Sequence, residues 1–364
     1  MPPMLRRHFI KGALLGATNL GMFPWVWVPK ARAFWTPRTA VHPQVNPLRV
    51  VGLTDPKMTR AQEPVSSWSR QEKLVVPSVV GENLDKLVCA LTETKNPKEA
   101  WSTIFLRPPK KSWSETVVAI KTNNISQQHT RSAVMAKVCQ SLTQFLGVKP
   151  SNIHIYDGVH GSGMSKKTPF VGMPEGVRIE DQWGGITTFT PIPPPWRKGQ
   201  DQARCLKPLV DGSVDILINI ALCKGHSDQY GGFTMTMKNH LGTFDPSFAH
   251  RSGATDYLMA INQTQEILGP MDPKTGRVQY PRQQLCIIDA LWASEGGPSG
   301  YPRHQPNFLA MGVFSPVLDF VIATQFRAGK MGWEIDREVT RRMLTDFGYD
   351  IGDLPGGGKM IEVT

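Results

Sequence analysis

Short apolar runs without helical period alternate along this chain with segments whose apolar positions recur every three or four residues. The runs at 116–121, 152–157, 215–221, 284–289 and 307–313 predict strands, and 48–53 a further short one. The 215–221 run, Asp-Ile-Leu-Ile-Asn-Ile-Ala, is apolar nearly throughout, as suits a strand covered on both faces. Helical spacing runs through 78–105, through 130–146 (Val134, Val138, Leu142, Leu146), and again at 255–268 and 316–326. Gly147 supplies a helix stop. Strand–helix alternation with apolar strands predicts an α/β fold: a mostly parallel, doubly wound sheet flanked by helices, with long loops. Residues 34–75 are rich in Pro, Ser and Thr and read as an extended N-terminal arm. The chain thus divides into a leader at 1–33, an arm and helix packed on the core at 34–110, and an α/β domain at 111–364.

The leader changes the reading of charge. Arg6-Arg7 is followed by Phe9-Ile10-Lys11, an apolar stretch over 12–28, and Ala31-Arg32-Ala33. A charged start, an apolar middle and a small-x-small end predict a twin-arginine signal peptide cleaved after Ala33. The expected partner is the Tat translocase, the location is periplasmic, and no stable membrane span remains after cleavage. Gly, Asn and Pro inside the apolar stretch disfavour a retained anchor. The net charge of +11 includes five cations from this leader and no acid, which leaves +6 on the rest. That residue of charge is scattered, so nucleic acid is not an expected partner, whereas a small anionic ligand is.

The 5 cysteines include no C-x-x-C pair, so no iron–sulfur cluster or zinc ribbon is expected. Only Cys223, beside Lys224, has a local reason for a lowered pKa. Neither G-x-G-x-x-G opening a helix, nor a Walker A loop, nor G-x-S-x-G, nor H-E-x-x-H is present.

Polar residues gather instead where the predicted strands end, the place where open parallel sheets bind ligands. These ends carry Lys121 and Asn123; Asp157 and His160; Lys224 and His226; and Asp289 followed by Glu295. A second Lys-x-His, Lys238-Asn239-His240, follows the first. If 233–240 is extended, Lys238 and His240 share one face while Met235 and Met237 face the core. Lysines beside imidazoles can clamp an anion. Alternatively, Asp157, His226 and His240 can ligate a divalent metal. In this reading Lys121, Lys224, Lys238 and Asp289 carry the chemistry, while Asn123, Asn239 and Glu295 bind the ligand. The plainer alternative is that such residues cap helices and satisfy loop backbone.

These segments, in this order, resemble the domain of unknown function 362 family. The matching pieces are Ile120-Lys121-Thr-Asn123, Asp215 through Asn219 to Lys224-Gly-His226, Thr234 through Lys238-Asn239 to Gly242, Ile287-Ile-Asp289 to Glu295-Gly-Gly-Pro298, and Ser315 with Asp319. They span roughly 115–330. The resemblance implies an α/β fold and points to Lys121, Asn123, Asp157, Lys224, His226, Lys238, Asn239, Asp289 and Glu295, with no reaction attached. Some relatives append a ferredoxin-like cluster, which this chain lacks. Two functions stay open: an exported enzyme or ligand-binding protein, and a non-catalytic accessory subunit of a periplasmic redox or assembly system.

Overall fold

In the computed structural model the residues described are 34–364, apart from 61–66, 126–127, 159–162, 165–167, 182, 184–186, 194–200, 250–252 and 300–301. The predicted leader at 1–33 and His160 lie outside the described residues. Eight strands build the central sheet: β1 (Val51–Thr54), β2 (Val118–Lys121), β3 (Ile153–Tyr156), β4 (Arg178–Glu180), β5 (Ile216–Leu222), β6 (Gln283–Ala290), β7 (Phe308–Gly312) and β8 (Ile361–Glu362). Their order is β8-β1-β7-β6-β5-β2-β3-β4. Each neighbouring pair is parallel except the two that involve β7, so β7 alone runs against the rest.

Between the edge strands β4 and β8 both faces of this sheet are dry, which is why the inner strands read as apolar runs. Val118, Ile120, Ile216, Ile218 and Ile220 pack into one core with α1 (Pro77–Thr92) and α2 (Ser132–Ser141). Ala119, Leu217, Cys286 and Ile288 face a second core, beneath α3 (Thr236–Asn239), Ala254–Ile261 and α4 (Ser315–Val321). Strand alternation therefore puts Lys121 and its register partner Asn219 on the second face, at the carboxyl end of the sheet. Residues 33–364 form one compact unit. Among the described residues no helix is long and apolar enough to cross a membrane.

Several predicted elements are subdivided. The 78–105 helix is two, broken at Glu93 (φ 60°) and restarted where the Asn96 side chain accepts from Glu99 N. The 130–146 helix begins at Ser132, finishes in a π turn and stops at Gly147 (φ 83°), as the glycine predicts. The larger departure is at 233–240. Only Phe233–Thr234 is extended, pairing antiparallel with Lys224–Gly225, and α3 follows directly. Its cause is remote in sequence: the Asp319 carboxylate on α4 accepts from Thr236 N (2.9 Å), Met237 N (2.7 Å) and Thr236 Oγ1 (2.6 Å). An acid at the amino end of a helical turn satisfies donors the turn leaves open. Lys238 and His240 consequently do not share the face an extended segment would give them.

Candidate functional site

The end of β2, the loop after β3, the segment that follows β5 and the α3 turn bring three lysines together. Lys121 Nζ donates to Asp157 Oδ1 (2.9 Å), to Asn239 Oδ1 (3.1 Å) and to the Thr122 carbonyl. Asn123 Nδ2 donates to the same Asn239 oxygen (3.0 Å), and Asn123 Oδ1 accepts from Lys224 Nζ at 2.6 Å. Lys238 leaves α3 with its Nζ over the ring of Tyr230, 4.4 Å from the centroid. Lys121 and Lys224 are 1% and 0% exposed, and Asp157 only 6%.

Burial and mutual repulsion show in the lysines' acidity. Burial pushes the Lys224 ammonium down to about 7; Asp157 opposes the shift, and Lys238 and Lys121 add to it. Lys238 falls to about 8 through burial and the charge of Lys121. Lys121 is also lowered by burial, with the ion pair to Asp157 pulling the other way.

Behind the lysines stands a relay of amides. Asn239 Nδ2 donates to Asn219 Oδ1 (2.8 Å), and Asn219 Nδ2 to the Thr236 carbonyl (2.8 Å). His240 Nε2 lies 2.6 Å from Gln283 Oε1, and Gln283 Nε2 donates to Ser315 Oγ (3.0 Å). Ser315 and Asp319 thus fasten the turn that presents Lys238 and Asn239. Two glycines are required by close approach. A Cβ on Gly242 would collide with the Asp157 carbonyl oxygen and sit 3.0 Å from Lys121 Nζ. One on Gly225 would strike the backbone of Glu295 and Gly296.

The structure sorts the sequence candidates. It brings together Lys121, Asn123, Asp157, Lys224, Lys238 and Asn239. It does not bring Asp289 to them: that carboxylate accepts from Arg131 N (2.8 Å) and Leu291 N (3.2 Å), fixing backbone at the entry to α2. The metal set of Asp157, His226 and His240 is not assembled. Asp157 is paired with Lys121, and His240 is fully buried in the amide relay, where burial drives its pKa to about 3. Among the described residues no group of three His, Cys, Asp or Glu side chains is placed to hold a metal ion.

His226 and Glu295 belong elsewhere. They line a hollow of about 420 Å³ with Asp228, Glu334 and Asp336. None of the three lysines lines this hollow; the Tyr230 ring under Lys238 has the His226 ring edge-on at 4.6 Å. The thiol of Cys223 is not activated; burial raises its pKa against the opposing Arg327 charge. A wider hollow of about 640 Å³, walled by Val75, Pro77, Ala133 and Val171, includes none of the three lysines.

Sequence reasoning missed Tyr230, the platform for Lys238, and Asn219 and Gln283, which hold the relay. Asn219 had a signal, an amide inside an otherwise apolar strand. Gln283 at the edge of its run had none.

With this arrangement in view, comparison with known proteins is informative on one point. The family model described as a domain of unknown function, DUF362, matches residues 118–324, more than half of the chain. The chain belongs to this family. The match runs from the start of β2 past α4 and so contains all three lysines, Asp157 and Asp319. No curated protein and no solved structure gives a match.

Proposed function

We propose that this is an exported protein, carried by the twin-arginine route and cleaved after Ala33, whose lysine site takes a small anionic ligand and moves a proton on it through Lys224. The observation that carries the binding part is the gathering of Lys121, Lys224 and Lys238 with a single carboxylate, Asp157, paired to Lys121, by the carboxyl end of a largely parallel sheet. Proton transfer rests on Lys224. Its ammonium is neighboured by cations, lies against a neutral amide oxygen, and has a pKa of about 7, so both protonation states are accessible near neutrality. Lys121, in contrast, is committed to Asp157 and orients Asn239.

Calorimetry of the purified protein against a panel of small carboxylates and phosphates tests the reading. Binding lost in Lys224→Met and in Lys238→Met supports it, and a panel without a single binder removes it. Binding with no turnover in any such compound would leave a non-catalytic binding subunit. Export is tested by sequencing the mature amino terminus, which should begin at Phe34.

A further inference from the structure

The unsatisfied donors of the lysine site narrow its ligand. A lysine ammonium has three N–H donors. Those of Lys121 meet three oxygen acceptors, from Asp157, Asn239 and Thr122. Lys224 has one acceptor, Asn123 Oδ1, and Lys238 has none among the described residues, only the face of Tyr230. Two N–H groups of Lys224 and all three of Lys238 therefore meet no oxygen among the described residues.

The charge count agrees. Asp157 pairs with Lys121 and acts on Lys224, and Lys238 adds a third cation beside them; with every group ionised, two positive charges stay uncompensated among the described residues. His240 beside them is neutral. Asp289 is held by main-chain N–H groups of Arg131 and Leu291, and Asp319 by α3. Asp228, Glu295, Glu334 and Asp336 line the hollow that includes His226. Uncompensated charge inside a protein costs several kcal/mol per ion, roughly. A ligand with one negative charge would offset only half of the excess.

We propose that the ligand is a doubly charged oxyanion, with one group of oxygens accepting from both Lys224 and Lys238. The inference rests on the anion-binding reading above and adds the valence. Two ligand types share this chemistry, a phosphate monoester and a small dicarboxylate.

The test is calorimetric titration of the full chain at pH 7 and fixed ionic strength. Sulfate, doubly charged throughout the accessible pH range, is compared with nitrate. The added charge should make sulfate bind at least about tenfold more tightly. Lys224→Met and Lys238→Gln should each weaken sulfate by about tenfold or more and bring it close to nitrate. Their melting temperatures check folding, and in the wild-type chain the sulfate–nitrate ratio stands without any variant. Nitrate binding as tightly as sulfate overturns the dianion while leaving the anion site intact. Failure of both anions, of methyl phosphate and of succinate overturns both. Whichever of methyl phosphate and succinate binds more tightly identifies the type.

Discussion

Lys121, Lys224 and Lys238 are chemically identical and differ only in what meets each ammonium. Lys121 is neutralised by Asp157, whereas Lys224 meets only an amide and Lys238 only a ring. This difference sets opposite outcomes for truncation. Asp157→Asn strands a buried ammonium and should cost roughly 3–5 kcal/mol of stability. Lys224→Met removes an uncompensated one and should cost little or stabilise. Urea denaturation of the two variants distinguishes them, and equal losses would contradict the described pairing.

Acidity gives a second outcome at the same scale. Free Lys224 and Lys238 have pKa values of about 7 and about 8, and a bound anion raises both. Binding is therefore strongest below pH 7 and weakens as pH rises through 8 toward 9, because protons must then be taken up with the ligand. Sulfate titrations at pH 8 in buffers of different ionisation heat should reveal that uptake. His240, with its pKa near 3, cannot produce the effect.

Among the elements, α3 is the one that local pattern misread. Alternating threonines and methionines over 234–237 suggest a strand, and Met235 and Met237 are indeed buried. The carboxylate of Asp319, more than eighty residues away, turns the segment into a helix start instead. Asp319→Ala should leave the N–H groups of Thr236 and Met237 unsatisfied, at about 1–3 kcal/mol each. It should also lower anion affinity by displacing Lys238 and Asn239, whereas Asp289→Asn, at a side chain that holds the main-chain N–H groups of Arg131 and Leu291, should affect stability and spare affinity. Denaturation and calorimetry on the same preparations read both. The inner strands were readable because two dry faces leave no polar period; the helix breaks at Glu93 and Gly147 differ, since only the glycine announces a left-handed residue.

Across the whole molecule, the prediction concerns the leader. Replacing Arg6 and Arg7 by lysine should leave the protein in the cytoplasm with its leader attached, as followed by cell fractionation and mass spectrometry. Its sulfate affinity should equal that of protein lacking residues 1–33, because the lysine site lies entirely within the compact unit 33–364.

Apolar runs located the six inner strands of the sheet, since burial on both faces is a requirement those strands carry in their own residues, whereas the exposed edge strands β4 and β8 carry no such run. The order of short polar segments likewise located Lys121, Asp157 and Lys224 at strand ends. Which of these polar residues meet was decided in three dimensions. Asp157 found a lysine rather than a metal, Asp289 found main-chain N–H groups, and His240 sank into a relay of amides. A side chain's partner depends on chain segments that arrive from far away, and its charge state on how much water they leave behind.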